Sequence, residues 1–89
     1  MARIEFTDNL QKHLPCPPAE ASGETVCAVL ESVFEENAPL RSYLLDDQGR
    51  LRKHVNIFVN GDMIADRIRL SDPVTDKDQV FVFQALSGG

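Results

Sequence analysis

The sequence predicts an α+β fold in two layers, a mixed β-sheet with one main helix packed on one of its faces. Three observations predict it. A period-two alternation opens the chain, one amphipathic stripe fills its middle, and two apolar runs of strand length follow, the first closed by an Asn-Gly turn.

Taken in order, Ala2, Ile4 and Phe6 alternate with Arg3, Glu5 and Thr7, the pattern of a half-buried strand. Asp8 and Asn9 are turn residues, and residues 10–14 carry no decisive pattern. Pro15, Pro17 and Pro18 exclude a helix or a central strand locally, so residues 19–22 are expected to form a short second strand or an edge. Thr25 is the expected N-cap of the helix, because its hydroxyl can accept a free N–H of the first turn. Val26, Val29, Leu30, Val33 and Phe34 then recur on one helical face, with Glu31, Ser32, Glu35 and Glu36 off it. Asn37, Ala38 and Pro39 end that helix, and residues 40–45 suit either a further helical turn or a short strand.

Asp46, Asp47, Gln48 and Gly49 form a turn, and a basic entry (Arg50, Arg52, Lys53, His54) leads into a strand over residues 55–59. Asn60 and Gly61 are a strong hairpin signal, so residues 62–64 are expected to pair back. Residues 70–78, rich in Asp and holding Pro73, form a loop. Residues 79–86 are the last strand, and Ser87, Gly88 and Gly89 follow. This order of elements is that of the β-grasp, or ubiquitin-like, fold. The expected organisation is one domain over residues 1–86 and a flexible Gly-Gly tail over residues 87–89.

With 89 residues, the chain has room for one domain and little room for a deep substrate cavity, which argues against an enzyme. The net charge of −5 disfavours phosphate backbones and anionic membranes as partners. Two cysteines are too few for a disulfide scaffold, and neither a signal-peptide pattern nor an apolar run near the ~20 residues of a membrane span is present. The expectation is a reduced, cytoplasmic protein. No phosphate-binding loop occurs, so any nucleotide chemistry belongs to a partner.

With this element order, the strand Val55, Asn56, Ile57, Phe58, Val59 before a tight turn, and the ending from Asp78, Gln79 and Val80 through an apolar strand to Gly88 and Gly89, the chain resembles the MoaD/ThiS family of sulfur carriers. The stretch from Gly49 to Ile57 most resembles carriers of bacterial cysteine synthesis, CysO-like; the segment around Cys16 and its neighbouring prolines resembles no feature of the family.

The resemblance implies a carrier that is not itself an enzyme and binds no cofactor. An E1-like (MoeB/ThiF-type) adenylyltransferase would bind it and use ATP to convert the carboxylate of Gly89 to an acyl-adenylate. A sulfur donor of rhodanese or desulfurase type would then displace AMP and leave a thiocarboxylate, which a biosynthetic enzyme accepts. Gly88 supplies reach, since a residue without Cβ lets the backbone thread a narrow channel. Molybdopterin, thiamine, cysteine and thio-natural-product routes all use such carriers. Two alternatives stay open: a ubiquitin-like modifier joined through Gly89 to lysines, and a plain interaction domain with an inert tail.

Strand alternation turns Val55, Ile57, Val59, Ile4, Phe6, Val80 and Val82 toward the helix, which leaves Phe58, Phe81 and Phe83 together on the open face. With Leu86, they are the expected docking residues, because an apolar patch of this kind marks an interaction site. Other constellations carry less. His13, Cys16, Cys27 and His54 match no standard zinc spacing. Cys27 is expected to be a small packed residue and Cys16 an exposed free thiol. Asp72, Asp76 and Asp78 lack calcium-loop spacing and are expected to form a solvated turn. The basic entry at residues 50–54 is expected to be solvated, with a partner-contact strip opposite Asp46 and Asp47 as the alternative.

Overall fold

In the computed structural model, which describes residues 1–7, 10 and 16–84, the alternating opening of the chain is strand β1 (Ala2–Phe6). The post-proline segment is β2 (Ala19–Ala21), antiparallel to β1 and at the edge of the sheet. The apolar stripe forms α1 (Val26–Glu36) and is followed by α2 (Ala38–Leu44). Strands β3 (Val55–Val59), β4 (Asp62–Met63) and β5 (Gln79–Gln84) complete a sheet of order β2-β1-β5-β3-β4. The β1–β5 pair is parallel and the others antiparallel, so the sheet is mixed, as the element order predicts for a β-grasp fold. The last two residues of the expected final strand, 85 and 86, lie outside the described residues, as does the tail.

The core follows from period two on the sheet and period 3.6 on the helix. Ile4, Val55, Ile57, Val80 and Val82 are fully buried, and every stripe residue of α1 (Val26, Val29, Leu30, Val33, Phe34) is buried against them. Each such side chain contributes about 1.5–3 kcal/mol on leaving water. The ion pairs of the described residues all lie at the surface, where each is worth about 0–1 kcal/mol. Apolar burial therefore holds the sheet to the helix.

Between the two readings of residues 40–45, the structure selects helix. Asn37 breaks α1, and Pro39 then sits in the first turn of α2, where a missing N–H costs nothing. Leu40 and Leu44, one turn apart, are buried. Arg41 clips the two helices together, pairing with Glu31 and lying 5.1 Å from the Phe34 ring centre. At the other end of α1, Gly23 packs so closely that a Cβ there would come within 2.7 Å of the Val29 backbone nitrogen.

The first-turn donors of α1 are all satisfied. Ala28 N–H donates to Thr25 Oγ1, as the capping pattern predicts, while Val26 and Cys27 donate to the carbonyls of Asp72 and Leu70 (2.9 and 2.8 Å). Leu70 adopts φ +55°, an unfavourable conformation for a branched side chain. Its burial in the core and its carbonyl's hydrogen bond to α1 offset that cost.

The Asp-rich loop is built more firmly than a solvated turn. The Asp72 carboxylate accepts the N–H groups of Ala65 and Asp66 (2.9 and 2.8 Å). Asp78 accepts from Thr75 N–H and from the Asn60 amide (both 2.8 Å), which ties the loop to the β3–β4 turn. That turn has positive φ at both Asn60 and Gly61, as a two-residue hairpin requires. Asp76 is exposed and lies 3.7 Å from the terminal amine. Cys16 corrects the expectation of an exposed thiol: it is 2% exposed, and burial pushes its pKa up. A thiol is a weak hydrogen-bonding group, so the core accepts it as a small hydrophobe among exposed prolines. Cys27 is half-buried at the core margin, as expected.

Asp66 generates a pH prediction. Its carboxylate accepts Ser71 Oγ–H and the N–H groups of Arg69 and Ile68, which lower its pKa from 3.8 to about 2. Hydrogen bonds from backbone N–H groups, chiefly those of Arg50 and Thr75, likewise lower the pKa of Asp46 and Asp78. The folded state thus favours the ionised form. The resulting stability is complete above about pH 4 and is lost as pH falls toward about 2. Thermal unfolding followed by circular dichroism should give a melting temperature that falls across this window. Asp66→Asn should melt lower at neutral pH and show a shallower acid decline.

Candidate functional site

Two features carry the candidate site: the open face of the sheet and the end of β5. On the face, pairing sets the rows. Phe58 stands opposite Phe81, Phe81 opposite Glu5, and Met63 opposite Phe58, so one row runs Glu5, Phe81, Phe58, Met63 across four strands. Phe83 lies two residues along β5 on the same face, opposite Asn56. Phe83 is 40% exposed, Met63 56% exposed, and Phe58 and Phe81 are half-buried. The structure therefore brings together the three phenylalanines that alternation selects. Leu86, the fourth expected docking residue, lies outside the described residues.

Polar groups frame the patch. On the β1 flank, Glu5 accepts from the Gln79 amide and lies 3.6 Å from Arg3. On the β3 flank, Arg67 donates to Asn56 Oδ1 (2.8 Å) and to the Arg52 carbonyl (2.6 Å), which lays its guanidinium beside the open face. Asp66, its neighbour in sequence, anchors the loop that carries it. Between Phe58 and Phe81, a shallow depression is closed by Asn60, Gly61 and Gln79. An apolar centre with a mixed-charge rim suits a protein surface. Arg67 and Met63 were missed in the sequence. Met63 was legible from the hairpin register, whereas Arg67 reaches the face through a loop that has no periodicity.

The second feature is the point from which the tail follows. β5 is the central strand, paired to β1 on one side and β3 on the other, and its described portion ends at Gln84. Gln84 N–H donates to Thr7 Oγ1 (3.4 Å), and Thr7 N–H to the Val82 carbonyl (3.1 Å). Around Gln84 lies a groove bordered by Ser42, Tyr43, Arg52 and His54. The basic entry thus lies beside Gln84, the last described residue, a placement that spacing alone does not give. It is also pinned rather than merely solvated. Arg50 pairs with Asp46 (3.1 Å), and Arg52 Nε donates to the Ser42 carbonyl (2.9 Å). Gly88 and Gly89, the expected reactive end, are outside the described residues.

Among the described residues, no group of His, Cys, Asp and Glu is arranged to hold a metal ion, and no helix is long and apolar enough to cross a membrane. His13 is not among them.

Comparison with known proteins gives a consistent picture. A family model described as the ThiS family matches residues 15–89. The sulfur carrier protein CysO of Mycobacterium bovis is 31% identical over 71 residues, spanning 78% of this chain and 76% of that protein. Among solved structures, a chain of the Amycolatopsis orientalis BexX/CysO complex superposes with a TM-score of 0.84 at 22% identity, covering 100% of both chains. At that identity the likeness speaks to the fold. The small archaeal modifier protein 1 of Methanosarcina acetivorans superposes with a TM-score of 0.79 at 26% identity, covering 99% of this chain and 95% of that one.

The register of β5 makes a sharp pair of mutants. Phe83 lies on the open face and is only partly covered, so Phe83→Ser should cost about 1 kcal/mol in urea unfolding. Val82, its neighbour, is fully buried, and Val82→Ser should cost about 2–4 kcal/mol. Equal effects would mean that the two residues share one environment.

Proposed function

The chain belongs to the ThiS family of ubiquitin-like sulfur carriers, and from that premise we propose that Gly89 is its reactive end, activated as an acyl-adenylate and converted to a thiocarboxylate. The observation that carries this reading is a Gly-Gly sequence at residues 88–89, in the sequence beyond the last strand of a β-grasp chain that is 31% identical to a sulfur carrier. The carboxylate oxygen of Gly89 attacks the α-phosphate of ATP and pyrophosphate leaves. A sulfur nucleophile then adds at the carbonyl carbon and AMP leaves. Where the sulfur arrives as a persulfide, a thiol cleaves the resulting acyl disulfide. The thiocarboxylate is anionic and strongly nucleophilic, fit to deliver sulfur within an accepting enzyme.

Residues 1–86 act as the docking body and residues 87–89 as the reaching tail. An E1-like adenylyltransferase of MoeB/ThiF type supplies the ATP site, and a rhodanese- or desulfurase-type donor supplies sulfur. The apolar face around Phe58, Phe81 and Phe83 gives the activating enzyme a rigid contact. The basic residues beside Gln84 give the entering tail an electrostatic frame, since a cation near a reacting anion favours its approach. Catalysis belongs to the partners, and this chain is the carrier of the sulfur. The likeness to a small archaeal modifier protein favours a second reading, in which activated Gly89 is joined to lysines of target proteins.

Intact-mass measurement after incubation with the activating enzyme, ATP and a sulfur donor separates these readings. A chain heavier by the difference between sulfur and oxygen, trapped by an alkylating agent, is the expected result. Heavier conjugates resistant to reducing agent would favour the modifier. An unchanged mass would contradict both.

A further inference from the structure

A second surface lies on the helix side of the sheet, away from Phe58 and Phe81. Between α1 and the outer edge of β2 is a cleft of about 340 Å³. Its apolar lining includes Phe6, Val33 and Leu40. The cleft exists because the helix-facing residues of β2 are Ala19 and Ala21, too small to fill the space beside α1. Among the described residues, β2 is an edge strand with a partner on one side only, β1. Backbone groups on such an edge are a template for an added strand.

Among the described residues, the charged side chains that border the cleft on its helix side are carboxylates: Glu35 and Glu36, both exposed. Among the described residues neither of these carboxylates pairs with a cation; the cation on the neighbouring helix, Arg41, is engaged by Glu31. Glu35 and Glu36 also occupy the last turn of α1, where the negative end of the helix dipole disfavours them, and no basic residue stands in that turn. A placement that weakens the helix without compensation among the described residues points to a use outside the fold.

We propose that this cleft binds an extended segment of a partner protein, aliphatic at its centre and flanked by lysine or arginine, which adds a strand to the edge of β2. Aliphatic side chains enter over Ala19 and Ala21, backbone groups pair with the outer edge of β2, and the flanking cations meet Glu35 and Glu36. This surface lies on the other side of the sheet from the face around Phe58 and Phe81, so one partner can hold the chain here while another meets that face.

The test is a titration of the isotopically labelled full chain with a synthetic peptide, Val-Ile-Val-Leu-Lys-Lys, followed by NMR. Amide shifts at Ala19, Glu20, Ala21 and Val33 are expected, with Phe58 and Phe81 unmoved. The double variant Glu35→Lys, Glu36→Lys should bind the peptide at least about fivefold more weakly. Its melting temperature should equal or exceed that of the unmodified chain, because the helix end is relieved. Replacing the two lysines of the peptide by glutamates should abolish binding. Absence of shifts up to millimolar peptide, shifts centred on Phe58 and Phe81, or undiminished binding by the charge-reversed chain would each overturn the proposal.

Discussion

The pairing of β5 between β1 and β3 is the constraint on which the rest of the structure depends. Held on both sides, its register cannot slip without turning Val80 and Val82 out of the core. The same register therefore decides three things at once. It closes the core beneath α1, it presents Phe81 and Phe83 beside Phe58, and it brings the chain to Gln84 between Thr7 and Val55, the position from which the tail follows. A strand in the middle of a sheet is held firmly, because motion at Gln84 must break contacts with two neighbours.

Polar interactions do a different job from burial. No charged side chain is buried among the described residues, so the core carries no ionic network. Aspartates instead organise the irregular segment between β4 and β5 by accepting backbone N–H groups. That segment in turn satisfies the first turn of α1 and sets Arg67 against Asn56. The face and the helix are thus coupled through a loop whose conformation depends on ionised carboxylates.

Regular elements were legible in the sequence because their side chains repeat. Alternation in β1, β3 and β5, the stripe of α1, the Thr25 cap and the Asn60-Gly61 turn all follow from local rules, and the aromatic face follows from alternation alone. Where no period exists, reading failed or stayed open. Pro39 announces the end of one helix, yet it equally begins the next. Cys16, between prolines, has no pattern to say which way it points, and it points inward. Arg67 and the groove beside Gln84 arise from contacts between residues distant in sequence, which no local spacing encodes. The cleft beside β2 exists because two alanines leave space, a signal visible only once α1 lies next to them.

The central claim is a division of labour: a rigid face docks and a glycine tail reacts. Steady-state adenylation by the activating enzyme, measured with the unmodified chain, with Phe58→Ala plus Phe81→Ala, and with Gly89 deleted, tests it most directly. The account predicts that the face variant raises the half-saturating concentration and leaves the maximal rate unchanged. It predicts that the Gly89-deleted chain is not adenylated yet still competes with the unmodified chain for the enzyme. A face variant indistinguishable from the unmodified chain, or a deleted chain that no longer competes, would contradict it.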